Sequence, residues 1–290
     1  MKHVLLVGAT SRLGGEVRSV LANRGIRVRG LVRRLGEAPR SGDVEWVQGD
    51  LMVPSTLLPA TEGVDAVISI AGAPLLPWWT PPALTFDAVD HLGTKALALA
   101  AARAGVQRFV YLSVAGDYPD DLEYVAAHRR GEAAIEAAGV SASVVRATGF
   151  HGLLCPLVDL ARVGVIPVPG HGRVQTNPIA ERDLAEVIAD QLDAEPATVG
   201  AGGPEVLTRR AIAERAFEAV DKPPRIVAPP TGLVRLGARV LDALNPRLAD
   251  VGAFVAHIHD HDAIAPQIGT TPLLESFREY ASGSGMGRRE

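Results

Sequence analysis

The residue types best suited to chemistry open the chain. Gly8, Thr10, Ser11, Arg12, Leu13 and Gly14, within VGATSRLGG, have the make-up of a turn that binds an anion. Ahead of them Val4, Leu5, Leu6 and Val7 form a continuous apolar run, the pattern of a strand buried on both faces. Behind them Leu13, Val17, Val20 and Leu21 recur at helical spacing, with a stop at Asn23-Arg24-Gly25. The first turn of a helix has backbone N–H groups without intrahelical acceptors, and they point at whatever sits in front. In a dinucleotide-binding fold that ligand is the pyrophosphate. With 30 glycines in 290 residues, chance glycine patterns are common. Placement between a strand and a helix is what gives this one weight.

Two arginines form the second group. Ile26 to Val32 (IRVRGLV) reads as a strand, followed at once by Arg33 and Arg34. At this place an acidic residue would accept hydrogen bonds from a ribose 2′-hydroxyl and select NAD. Guanidinium groups suit the 2′-phosphate of NADP instead, through charge-assisted and often paired hydrogen bonds. Arg12 can close on the same phosphate. The expected cofactor is therefore NADP (NADPH), with NAD kept open, because arginines after a strand also serve simply to solvate a loop. Asp50 and Leu51 follow a third strand and would flank the adenine. Ala71, Gly72 and Ala73 follow a fourth and would let the cofactor approach the backbone, since ligands of open α/β sheets lie beyond the carboxyl ends of the strands. Each set also reads as ordinary turn residues.

These groups need strands to place them. Val44 to Val47 and Asp65 to Ile70 supply the third and fourth, Arg108 to Ser113 a fifth and Ser143 to Arg146 a sixth. Helical patterns lie between, notably Leu84 to Ala104 and Asp121 to Ala138. Such alternation predicts an α/β fold: a Rossmann-type, doubly wound parallel sheet with right-handed crossovers. The regular pattern ends near residue 147. The expected organisation is a dinucleotide-binding domain over 1–150, a smaller C-terminal substrate lobe over 151–280 packed on the same sheet, and a disordered tail over 281–290. Within the lobe, helices are expected at about 180–192, 208–219 and 231–243.

Composition excludes several classes. Hydrophobic residues are 47% and charged residues 21%, ordinary for a globular protein, and the net charge of −4 supplies no field for nucleic acid or anionic membrane. No apolar run reaches the roughly 18 residues of a membrane span. The amino terminus reads as a core strand and not as a signal peptide, and the single cysteine, Cys155, excludes an intrachain disulfide framework. A cytoplasmic location is expected. Cys155 reads as a small buried hydrophobe. His257, His259, Asp260, His261 and Asp262 lie close together, but metal ligands are usually drawn from separated elements, so a solvated polar segment is expected and no metal. No G-x-S-x-G turn supports a hydrolase.

A set of segments in order resembles the atypical branch of the short-chain dehydrogenase/reductase superfamily, the NAD(P)H-binding, NmrA-like group. They are VGATSRLGG, GLVRR, WVQGDL, DHLGTKALALAAARAGVQRFVYLS, HRRGEAAIEAAGVSASVVRATGF, NPIAERDLAEVIADQL and GGPEVLTRRAIAERAF, covering most of residues 1–220. Ser11 stands where the family commonly has a glycine; its Cβ limits close backbone approach, while its hydroxyl can bind phosphate. The resemblance implies a catalytic Ser, Tyr and Lys. Ser113 ends the fifth strand as the family serine does, and Tyr124 with His128 gives Tyr-x-x-x-His, both on one helix face. A histidine with pKa near ~6.5 is mostly neutral at pH 7 and depresses a tyrosine pKa less than lysine does. Tyr124 is thus either the working acid or a pocket-lining tyrosine. Thr148, Gly149 and Phe150 would meet the nicotinamide end. Trp78 and Trp79 would form a lid or substrate wall, or pack the lobe. Asp183 is expected to be structural.

Three functions stay open on these residues. The first is an NADP-dependent oxidoreductase moving a hydride to or from a small carbonyl, imine or activated alkene. The second is a non-catalytic NADP(H)-binding regulator with a protein partner, suggested by His128. The third is a nucleotide-sugar epimerase or dehydratase. Substrate and oligomeric state are not legible.

Overall fold

The computed structural model describes residues 1–39, 44–75, 80–119, 121–233, 236–237 and 246–283. Seven strands form the central sheet: β1 (His3–Val7), β2 (Arg27–Val32), β3 (Val44–Gln48), β4 (Ala66–Ser69), β5 (Arg108–Val114), β6 (Ala142–Ala147) and β7 (Thr198–Ala201). Their order is β3-β2-β1-β4-β5-β6-β7, parallel as the alternation predicts. The order reverses between β1 and β4, which puts the crevice for a ligand at their carboxyl ends. Every residue of β1 is buried, as its unbroken apolar run requires.

The chain divides into two compact units. The first holds Met1–Val114, Tyr118–Arg146 and Ala185–Val199; the second holds Ala115–Asp117, Ala147–Leu184 and Gly200–Glu290. In the first, helix α1 (Arg12–Asn23) follows β1. The expected long helix after β4 is two pieces, a π-helical segment over Asp87–Gly93 and α2 (Thr94–Arg103). Helix α3 (Glu123–Ala138) ends on Gly139 at φ 73°, a left-handed cap that favours glycine. Arg108, 4% exposed, ties the start of β5 to its neighbours. Its guanidinium donates to the carbonyls of Gln191 (2.8 Å) and Ala194 (2.7 Å) and to Ser143 Oγ (2.7 Å). Burial lowers its pKa.

The second unit has its own core. Cys155, Val158 and Ala161, in and beside α4 (Pro156–Val163), cluster with Ile212, Ala216 and Phe217 and with Leu273 and Phe277. The last two groups come from α6 (Arg209–Glu218) and α8 (Leu273–Ser282); α7 (Pro246–Asp260) belongs to this unit too, and α5 (Glu181–Asp190) begins in it, its residues from Ala185 on counting with the first unit. Asp183 is structural, since its carboxylate accepts from the N–H groups of Thr270 (2.7 Å) and Thr271 (2.8 Å). Helix α8 runs two residues into the stretch expected as tail, because Leu273 and Phe277 bury one of its faces. Most of the helix expected at 231–243, and residues 284–290, lie outside the described residues. No helix among the described residues is long and apolar enough to cross a membrane.

Arg108→Leu leaves two buried carbonyls and a hydroxyl without their donor. It is expected to cost about 3 kcal/mol of stability, read as a lower urea midpoint at unchanged slope.

Candidate dinucleotide and proton-transfer site

The opening turn has the geometry its residue types suggest. Gly8 adopts φ +95°, and a Cβ added there would lie 3.0 Å from the Ala71 nitrogen. A Cβ at Gly14 would lie 2.3 Å from the Gly8 carbonyl oxygen, so the helix starts in near contact with the strand it follows. Ser11 caps α1: its hydroxyl donates to the Gly8 carbonyl (2.8 Å) and accepts from the Gly14 N–H (2.9 Å). The side chain that replaces a glycine thus closes the turn through its own hydroxyl. Thr10, Ser11 and Arg12 face solvent and Leu13 is buried. The exposed turn, with the donors of a helix start behind it, fits a pyrophosphate.

The expected flanks gather around the switch point. Arg33 and Arg34 are exposed directly after β2, and Arg34 pairs with Glu37 at 3.0 Å. After β3, Asp50 Oδ1 accepts from the Met52 N–H (2.9 Å), while Leu51 is buried. Ala71, Gly72 and Ala73 leave β4 beside the glycine turn. A residue that sequence reasoning missed holds them: Asp90, 1% exposed, whose Oδ1 accepts from the Ala73 N–H at 2.9 Å. A Cβ at Gly72 would lie 2.9 Å from the same oxygen. The backbone carbonyl of Asp90 in turn accepts from the Tyr111 hydroxyl at 3.3 Å. Its signal was available, since an aspartate at a buried position of an apolar helical face requires a partner.

The three expected catalytic residues share the first unit but differ in state. Ser113 is buried, and its hydroxyl donates to Glu132 Oε1 at 2.5 Å. Glu132 also accepts from Arg129 Nη1 (2.5 Å) and Arg146 Nη2 (2.5 Å). Burial pushes the Glu132 pKa up, but the bonds from Arg146 and Ser113 and the Arg129 charge outweigh it and hold the carboxyl below the usual range. The Ser113 proton is therefore committed to a carboxylate. Tyr124 and His128 lie together on α3 as their spacing predicts, ring centroids 4.8 Å apart, with Phe86 edge-on to Tyr124 at 5.1 Å. Burial, then the Asp90 charge, raises the Tyr124 pKa. Burial drives the His128 pKa down to about 4. Glu132 continues the stripe of Tyr124 and His128 at four-residue steps, a pattern readable in the sequence but not singled out there.

The remaining expected residues belong to the second unit or fall outside the described residues. Thr148 is buried and donates from Oγ1 to the Asn177 carbonyl (2.6 Å), Gly149 is exposed, and Phe150 pairs with Ile179. Cys155 is buried. His257, His259 and Asp260 close α7 and His261 and Asp262 follow it; Asp260, His261 and Asp262 are exposed, while His257, stacked on His261 with centroids 4.0 Å apart, and His259 are half-buried. His259 Nδ1 donates to the Val255 carbonyl one turn back at 2.8 Å. Trp78 and Trp79 lie outside the described residues.

Two outcomes follow. Gly14→Ala forces a Cβ onto the Gly8 carbonyl; it is expected to cost about 1–3 kcal/mol and to weaken NADPH binding, by thermal melt and calorimetry. For His128, a folded pKa of about 4 lies below the unfolded value near ~6.5. Its stability contribution is present above pH ~6.5 and is lost as pH falls through 4, on the order of 3 kcal/mol in total. Between pH 7.5 and pH 4.5 the urea midpoint of wild type is expected to fall further than that of His128→Gln, the variant losing less on acidification.

Comparison with known proteins supplies the family. The sequence model of the NAD(P)H-binding family matches residues 8–195. The ceramide reductase of Caulobacter vibrioides is 37% identical over 151 residues, 51% of this chain and 46% of that protein. The chloroplastic divinyl chlorophyllide a 8-vinyl-reductase of Cucumis sativus is 27% identical over 276 residues, 83% of this chain and 62% of that protein. Both alignments thus span less than two thirds of the relative. The triphenylmethane reductase of Citrobacter sp., in complex with NADP(H), has the same fold at a TM-score of 0.77 and 21% identity, covering 96% of this chain and 99% of that one. With its glycine turn at the switch point of a parallel sheet and a family match over most of its length, the chain belongs to the NAD(P)H-binding family, as its resemblance to the atypical short-chain dehydrogenases/reductases implied.

Proposed function

We propose that the protein is an NADP-preferring oxidoreductase that moves a hydride between nicotinamide C4 and a small carbonyl, imine or activated alkene. The observation that carries the cofactor choice is Arg33, exposed at the exit of β2 and in no ion pair among the described residues. It stands where an acidic side chain would select NAD. The reductase names of the relatives agree with a redox role. When bound, the dinucleotide supplies the hydride.

The chain's own part is orientation and one proton. Tyr124 keeps its phenolic proton, because burial and the Asp90 charge both oppose its loss and His128 brings no positive charge. It is thus a donor to a substrate oxygen that gains electron density as hydride arrives. Ser113 donates its hydroxyl hydrogen to Glu132 and accepts from Arg129 Nη1 at 3.4 Å, so its remaining lone pair helps orient the substrate without protonating it. The same two features favour a second reading, a non-catalytic NADP(H)-binding regulator, since neither the serine nor the residue in the lysine position has the usual state.

Arg33→Ala is expected to weaken NADPH binding by tenfold or more, about 1.4 kcal/mol or above, with little change for NADH; equal losses would refute the 2′-phosphate assignment. Tyr124→Phe is expected to lower kcat by about 10²-fold or more at unchanged NADPH affinity, measured with whichever compound of a carbonyl, imine and enone panel is reduced. If the whole panel is inert and a protein partner binds differently with NADP⁺ and NADPH, the regulator reading holds.

A further inference from the structure

Arg18 stands in the second turn of α1, half-buried behind the glycine turn. Its Nε donates to the backbone carbonyl of Ala9 at 3.1 Å. Ala9 is fully buried, and a carbonyl in such a place is costly without a donor. The guanidinium carbon lies 5.7 Å from the centre of the Trp46 ring, within the range of a cation–π contact. Trp46 comes from β3, the edge strand of the sheet, and is the register partner of Gly30 on β2. A Cβ at Gly30 would lie 2.4 Å from Trp46 Cζ3, so the indole rests directly on the glycine. Gly30, Trp46, Arg18 and the Ala9 carbonyl thus form one chain of contacts within the first unit.

The direction of that carbonyl matters to an anion. In a planar trans peptide the C=O and the N–H that follows it point opposite ways. Holding the Ala9 carbonyl toward Arg18 therefore turns the Thr10 N–H away from it. Thr10 is exposed, and its N–H meets no backbone acceptor among the described residues. The Gly8 carbonyl is held in a similar way, by the Ser11 N–H at 3.0 Å and the Ser11 hydroxyl at 2.8 Å. Both carbonyl oxygens are engaged by the protein, so neither dipole is left to repel a phosphate in front of the turn.

We propose that Arg18 is a positioning residue for the dinucleotide, which fixes the Ala9–Thr10 peptide with its N–H toward the pyrophosphate, and that Trp46 in turn fixes Arg18. This rests on the cofactor reading above. Arg18 acts through the backbone of the turn and not by touching the ligand. The pyrophosphate is common to NADPH and NADH, so this role is indifferent to the 2′-phosphate, which falls to Arg33. A tryptophan on the edge strand thereby reaches the phosphate turn through a single side chain.

Titration calorimetry of the full chain with NADPH and with NADH tests this, alongside melting temperatures. Arg18→Met, which fills similar space without donors, is expected to weaken both dinucleotides by the same factor, about tenfold or more. Trp46→Phe keeps an aromatic face and is expected to stay within about twofold of wild type, whereas Trp46→Leu is expected to lose about threefold or more for both. The double variant is expected to bind no more weakly than Arg18→Met alone, because the tryptophan acts through the arginine. A purely structural role would lower the melting temperature and leave both affinities at the wild-type value, and that outcome overturns the proposal. So does a loss confined to NADPH, which would make Arg18 a ligand of the 2′-phosphate, and so do losses that simply add in the double variant. Should Arg18→Met not fold, Trp46→Leu decides: equal weakening of NADPH and NADH supports the proposal and wild-type affinity for both refutes it. If the wild-type protein binds neither NADPH nor NADH, the cofactor reading itself fails, and this inference with it.

Discussion

The closeness of β1, α1 and the exit of β4 is the constraint on which the rest depends. Three backbone segments meet where Gly8 and Gly14 leave no room for a side chain: a Cβ at Gly14 would lie 2.3 Å from the Gly8 oxygen, and one at Gly8 would lie 3.0 Å from the Ala71 nitrogen. That approach lets one helix start face the crevice created by the reversal of strand order. It also explains why Ser11 is tolerated in the turn. Its hydroxyl bonds the same Gly8 carbonyl and the Gly14 amide, so the added side chain reinforces the contact and points into it.

A second layer of organisation is electrostatic and lies beneath α3. Tyr124, His128 and Glu132 share one stripe, yet each is held in a different state. The phenol stays protonated, the imidazole neutral and the carboxyl ionised, because desolvation dominates for the first two, outweighing the pull of Glu132 on the imidazole, while the third is clasped by two arginines. Asp90 adds a buried acceptor from the π-helical segment and links the β4 exit to Tyr111 on β5. The loop after β4 and the buried end of Tyr111 are therefore braced by one residue.

Much of this was readable beforehand. Strand boundaries agree to within a residue or two because each strand is a short apolar run punctuated by glycine or charge, and the Tyr-x-x-x-His spacing put both rings on one face as found. The π-helical turn over Asp87–Gly93 was not readable. Nothing in the helical pattern of DAVDHLG distinguishes a wider turn, and the close approach of its Asp90 to Gly131 and Tyr111 exists only in the folded chain. The state of Ser113 was hidden for a similar reason. Its partner Glu132 is on another element, and both arginines that hold Glu132 look like ordinary surface residues in the chain.

The sequence by itself determined the parallel sheet, the glycine turn that follows its first strand and the basic residues after its second. Each is a local pattern whose physical cause, burial on both faces or freedom at positive φ, lies within a few residues. Tertiary structure alone decided which groups hold protons. Whether Ser113 donates, whether His128 is charged and whether Tyr124 keeps its hydrogen depend on desolvation and on groups distant in sequence, such as Glu132 beside Ser113, Arg146 on Glu132 and Asp90 near Tyr124. Burial and pairing of that kind exist only once strands and helices have met.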